Sequence, residues 1–183
     1  MGTSRVEGAE AFYKKVDPEG NITREEFRNA INGAHRSRTI VCYMIWKKMK
    51  ELYPEIDADK VMIDAYREFG IYCGKKWGSI CSADEAILAQ SSKSGYAAFD
   101  QELVAYDKDY AQKNFHYCPH MDALDMLGVS AEEKKFFCQE ILSAGDYGNL
   151  DPHDGLKLEF KTQIGAGDDH CEYCVSREQT SAE

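Results

Sequence analysis

The sequence predicts an α+β fold, an N-terminal helical layer packed on a roughly four-stranded antiparallel sheet with two short helices inserted between its hairpins. Three observations predict it. Apolar residues recur at helical spacing from Phe27 to Leu52 and again from Val61 to Tyr72. From Phe99 the spacing shortens to the two-residue alternation of strands. Helix-start signals then return at Pro119 and Ser130, so helices interrupt the sheet instead of following it.

Residues 1–22 are polar and irregular. The run Asp17 to Ile22 reads as a turn leading into a helix. As a calcium loop it would place Lys15 where an oxygen ligand is needed. Thr23 and Glu26 form a capping box, and Tyr53-Pro54 ends the helix they open. Within it, Trp46-Lys47-Lys48-Met49-Lys50 reads as a solvated edge. A second helix begins near Asp57, carries Val61, Met62, Ala65, Phe69 and Tyr72 on one face, and closes between Gly74 and Gly78; Trp77 is expected in the core. A third starts at the box Ser82 to Glu85 and runs to about Gly95.

Asp107-Lys108-Asp109 breaks the alternation between Phe99 and Tyr117, which predicts a hairpin. Pro119 opens a short helix that stops at Gly128, and Ser130 with Glu133 opens another to about Ser143. Gly145 to Gly155, rich in Gly, Asp and Pro, predicts a loop. Leu156 to Ile164 alternates as a half-buried strand, with Cys171 to Ser176 as its partner beyond a turn. The expected organisation is one domain over 23–176, helical in 23–95 and sheet-containing in 96–176, with a polar tail over 177–183.

The net charge of -10 and the lack of a Lys/Arg cluster exclude a bare nucleic-acid binder. No apolar run approaches the roughly 18–20 residues of a membrane span. The first residues have no apolar core for a signal peptide, and Gly2 lacks a Ser or Thr at the sixth position for myristoylation. The expectation is a cytoplasmic protein with a small-molecule substrate, no nucleic-acid or membrane partner, and homo-oligomerisation left open. Seven cysteines are an odd number without an export signal, which turns attention from disulfides to catalysis or metal binding. About half of them are expected to be plain core residues.

Cys118-Pro119 is the most informative dipeptide. Proline at the first helical position places Cys118 at the N-cap, facing free N–H groups and the positive end of the helix dipole, which should lower its pKa. His116 and His120 flank it as candidate bases. On the last strand, alternation puts Cys171, Tyr173 and Val175 on one face and Cys174 on the other, so the CxxC spelling is not a redox pair or zinc knuckle. A zinc or iron site is the minority reading, since no spacing matches a familiar finger. Asp146 and Asp168 sit in Gly-Asp pairs that commonly cap turns, with an acid, base or substrate-orienting role as the functional alternative.

The ordered set Cys118-Pro119, Leu127-Gly128, Cys138, Leu156 to Phe160 and Gly167-Asp168-Asp169-His170-Cys171-Glu172-Tyr173 resembles the L-2-amino-thiazoline-4-carboxylate hydrolase family. The stretch from Tyr66 to Gly78 is similar too, and the resemblance covers about residues 25–176. It implies hydrolysis of a non-peptide C–N bond in a small cyclic amidine, without a cofactor; the family's namesake opens its substrate's ring to an N-carbamoyl-cysteine. Cys118, Cys138 and Cys171 match the family's recurring cysteines, and Asp168 matches the Gly-Asp before the last of them. The chain departs from the pattern in Gln139-Glu140 after the middle cysteine and in the two histidines around Cys118-Pro119. The expected catalytic set is Cys118 as nucleophile, His116 or His120 relaying the proton, and Cys171 and Asp168 assisting, with Cys138, Asp146 and Tyr173 against the substrate. The alternatives are a non-catalytic small-molecule sensor, a metal-dependent enzyme using the same Cys and His residues, and a haem or cluster protein.

Overall fold

In the computed structural model, which describes residues 22–178, the elements are α1 (Arg24–Leu52), α2 (Ala58–Gly74), α3 (Ala83–Gln90), α4 (Lys93–Phe99), β1 (Gln101–Tyr106), β2 (Tyr110–Phe115), α5 (Pro119–Met126), α6 (Ala131–Phe136), a π-helical turn (Phe137–Leu142), α7 (Ser143–Leu150), β3 (Leu156–Phe160) and β4 (Cys171–Arg177). Of the irregular segment expected over 1–22 only Ile22 is described, and of the tail only Arg177 and Glu178; the rest lies outside the described residues.

The capping box at Thr23 is formed in both directions: Glu26 N–H donates to Thr23 Oγ1 at 3.1 Å, and Thr23 N–H to Glu26 Oε2 at 2.9 Å. The expected solvated edge on α1 needs correction. Trp46 is 2% exposed, its Nε1 donates to Asp59 Oδ1 at 2.7 Å, and its ring stacks on Phe136. Its lysine neighbours face water, and Lys50 lies 4.7 Å above the indole, so the basic run masks one buried anchor.

The helix expected from Ser82 to about Gly95 is two helices. Ser92 starts α4 by accepting the Gly95 N–H at 3.0 Å. The Ser82 box is not made: Ser82 turns its hydroxyl to Asp84, while Glu85 takes the Cys81 N–H at 2.9 Å.

Two further corrections share one cause. Val61, Phe69 and Tyr72 of α2 are exposed, and its buried face is Ala58, Met62, Gly70 and Gly74. The expected loop after Gly145 is instead α7, whose glycines meet those of α2. A Cβ on Gly70 would fall 2.1 Å from the Gly145 carbonyl oxygen, and one on Gly148 would fall 2.3 Å from that of Arg67. Glycine costs about 1 kcal/mol in a helix interior; here it lets two backbones touch, and the contact offsets that cost. Gly70→Ala is therefore expected to destabilise the fold by about 3 kcal/mol, read by urea unfolding. A change near zero would mean that α2 and α7 do not pack this closely.

The sheet is antiparallel in the order β1-β2-β4-β3. Its inner face carries Ala111, Lys113 and Phe115 of β2, Leu158 of β3, and Cys171, Tyr173 and Val175 of β4, with Lys113 paired to Tyr173 and Phe115 to Cys171. Ala83, Ala86 and Ile87 of α3 cover part of that face. β3 ends at Phe160, short of the expected Ile164, because residues Ile164–Ala166 wind into a 3-10 turn. A second cluster gathers Trp46, Met62, Met121, Leu124, Phe137 and Ile141. The α+β architecture is the expected one, with more helix inserted between β2 and β3 than the two short helices anticipated. Among the described residues no helix is long and apolar enough to cross a membrane.

Candidate active site

A cavity of about 650 Å³ draws its walls from both clusters, and Cys118, Cys138, Cys171 and Asp146 all line it. That volume suits a small-molecule site. Cys118 is the N-cap of α5 with Pro119 in the first turn, as its dipeptide predicts. The local electrostatics are also as expected in sign. The Met121 and His120 N–H groups make no capping hydrogen bond to the sulfur, yet they pull its pKa down. Burial outweighs them and pushes the thiol up to about 12, so the lowering expected from the helix start is overturned.

Cys138 sits in the π turn, a local widening of the helix of a kind frequent at functional sites. The 3-10 turn lies directly on it: a Cβ on Gly165 would fall 2.3 Å from Cys138 Cβ and 2.6 Å from its Sγ. Ile164 N–H donates to Cys171 Sγ at 3.3 Å. Burial raises the pKa of both thiols, Cys171 to about 11. All seven cysteines are free. Cys174 faces the other side of the sheet, where it accepts from the Tyr110 hydroxyl at 3.3 Å, which separates it from Cys171 as alternation predicts.

Asp146 is in the first turn of α7, not in a turn between elements. It is half-buried and lines the cavity. Burial raises its pKa to about 6, against the pull of Lys113 and Arg38. Its charge in turn bears on Cys118, Cys138 and Cys171. Lys113 is 2% exposed; its Nζ donates to Gln90 Oε1 and, at 3.2 Å, to Ser91 Oγ, and burial brings its pKa down to about 8. Arg38 lines the cavity from α1, with its guanidinium 3.3 Å from the His35 ring.

His120 lines the cavity. Burial, then Arg38 and His35, hold its pKa down to about 3. His116 is exposed and bonded to Glu102 at 2.9 Å. Asp168 is exposed and accepts the Gln163 N–H at 2.8 Å, which is the turn-capping role. Tyr173 is packed between Phe115 and Phe160. None of these last three lines the cavity. Among the described residues no three His, Cys, Asp or Glu side chains converge to hold a metal ion.

The chain matches the L-2-amino-thiazoline-4-carboxylic acid hydrolase family over residues 33–175. It belongs to that family. No curated protein matches it. The family match spans the cavity from His35 to Cys171, so the site lies wholly within the part of the chain that is shared. Sequence reasoning missed several residues in or beside this family member's cavity. Lys113 was detectable, because Ala111, Lys113 and Phe115 alternate onto one face of β2. Arg38, Gln163 and Ser143 carried no local signal. Gln163 Nε2 donates to Ser143 Oγ at 2.8 Å, and Ser143 Oγ to the Cys138 carbonyl at 2.9 Å, a chain that ties the turn over Cys138 to the π turn.

Proposed function

We propose that this chain is a cysteine-dependent hydrolase acting at the non-peptide amidine C=N of a small cyclic substrate of the 2-amino-thiazoline-4-carboxylate type, where water adds as the ring carbon–sulfur bond breaks. One observation carries the reading: Cys118, at a helix start, shares a cavity with Asp146, a carboxylate poised near neutral pH. Above about pH 6 Asp146 is ionised and takes the Cys118 proton as the sulfur adds to the amidine carbon. Moving a proton from a thiol at about 12 to a carboxylate at about 6 costs roughly 8 kcal/mol. A turnover of about 10 per second corresponds to a barrier of about 16 kcal/mol. The transfer therefore fits within the barrier, and no standing thiolate is required. Collapse of the adduct expels the ring sulfur, which takes the proton back from Asp146. Water, deprotonated by the same carboxylate, then adds to the amidine carbon and expels the Cys118 sulfur, which takes the proton from Asp146, and the isourea left behind tautomerises to the carbamoyl product. Arg38, whose side-chain partner is a neutral ring, is placed to receive the substrate carboxylate.

The test is incubation of the purified protein with 2-amino-thiazoline-4-carboxylate, measuring free thiol and ammonia. Ring opening to the carbamoyl product keeps both nitrogens on the former amidine carbon, lowers its carbon–nitrogen double bond to a single bond and releases a thiol. Loss of the exocyclic nitrogen releases ammonia and leaves the ring closed. Thiol without ammonia is the expected outcome. Substrate recovered unchanged overturns the hydrolase reading in favour of a binding domain.

A further inference from the structure

His120 packs against the rings of His35 and Phe99 and makes one side-chain hydrogen bond among the described residues, with Nδ1 2.6 Å from Thr39 Oγ1. The same hydroxyl lies 2.9 Å from the carbonyl oxygen of His35, one turn back on α1. Thr39 is 0% exposed and has a single hydroxyl proton. A carbonyl oxygen has no proton to give, so the threonine proton must lie on that line; otherwise two oxygens would sit 2.9 Å apart with nothing between them. The proton on the 2.6 Å contact therefore comes from the ring. Burial, then the neighbouring Arg38 and His35, opposes a positive charge here, so no second ring proton is held. The Nδ1–H tautomer leaves Nε2 as a bare lone pair. Nδ1 is engaged by Thr39 of α1 and His120 lines the cavity, so Nε2 is the ring nitrogen left for a partner there. Among the described residues no group donates to Nε2, and it is not one of the polar atoms sealed away without a partner.

We infer that His120 is a fixed hydrogen-bond acceptor, locked in its tautomer by Thr39, and that it selects substrates presenting an N–H donor to this wall of the cavity. The inference rests on the amidine-hydrolase reading and adds a specificity residue to it. A 2-amino group offers such a donor, and an analogue without one leaves Nε2 unpaired. An unpaired buried acceptor corresponds to about 10- to 100-fold weaker binding.

Two measurements test it. In long-range ¹H–¹⁵N NMR spectra of the unliganded protein, His120 is expected to show a protonated Nδ1 and an unprotonated Nε2. Thr39→Ser should keep that pattern, and Thr39→Val should lose it. A protonated Nε2 in the parent protein overturns the lock, whatever the reaction turns out to be. The second measurement is calorimetry on Cys118→Ser, which binds without turnover, using 2-amino-thiazoline-4-carboxylate and its N,N-dimethylamino analogue. The dimethylamino probe is expected to bind about 10- to 100-fold more weakly, and His120→Phe should bring the two affinities within about threefold of each other. Equal affinities in the Cys118→Ser protein, binding of neither probe, or a difference that persists in His120→Phe overturns the selection role. Failure of the parent protein to hydrolyse the amino probe would strike the proposed function alone, leaving the tautomer result standing.

Discussion

Replacing Cys118 by alanine is expected to leave a folded protein that has lost at least a thousandfold of its hydrolytic rate. The loss follows from removing the only atom proposed to bond covalently to the substrate, an effect of roughly 10³ or more where no second nucleophile takes over. The fold should survive, because Cys118 makes no capping hydrogen bond that alanine would forfeit. Cys118→Ser separates catalysis from stability more sharply. A serine hydroxyl at this N-cap can accept an N–H of the first turn, and should stabilise α5 by about 1 kcal/mol. It should nonetheless be inactive, since an alkoxide is far harder to form beside a base at about 6. Initial rates alongside thermal unfolding would show a variant more stable than its parent and without turnover. Either variant keeping more than about a tenth of the parent rate would remove Cys118 from the chemistry. Alkylation gives a further reading: a thiol pushed up to about 12 reacts slowly with iodoacetamide at neutral pH despite its place on the cavity wall.

The parts of this fold legible in the sequence are those set by neighbours in the chain. Thr23 with Glu26, Asp57, and Cys118 with Pro119 mark helix starts that the structure keeps, because a cap is settled within one turn. Strand alternation likewise separates Cys171 from Cys174 without any knowledge of what lies above the sheet. What was misread depends on distant partners. Gly145 and Gly148 signal a loop locally and become helix only against Gly70 and Arg67. Trp46, set among lysines, is buried because Asp59 of α2 and Phe136 of α6 arrive to cover it. The site divides in the same way. The helix start gave the right sign for the backbone's effect on Cys118, but burial, a property of the whole fold, is larger and opposite. Asp146 looked like a turn residue because its glycine neighbour was read as punctuation. His116 and Asp168 looked functional because they lie near cysteines in sequence, yet the cavity excludes both.

Asp146→Asn is expected to lower the rate by about 10²–10³ and to raise stability at the same time. The rate loss reflects a missing base. The parent kcat/KM should rise with pH through about 6 as Asp146 ionises, and this acid limb should vanish in the variant. The stability gain follows from the direction of the pKa shift. The folded-state value, about 6, lies above the ordinary aspartate value of 3.8. As pH rises between these values the unfolded chain loses its proton first, so ionisation favours unfolding, and folding stability falls until both forms are charged. The loss is complete above about pH 6 and is on the order of 2–3 kcal/mol. Asparagine does not ionise and escapes it. Part of the gain is offset at Lys113, which Asp146 helps to keep charged inside the protein. Asp146→Asn with Lys113→Met should therefore recover more stability at about pH 8 than Asp146→Asn alone, in urea unfolding of each protein. A single variant no more stable than the parent, together with a parent profile flat through pH 6, would show that Asp146 is not the buried carboxylate described. If both effects appear, the charge at Asp146 is held in the core at a cost to the fold, and the rate it supports is the reason for holding it there.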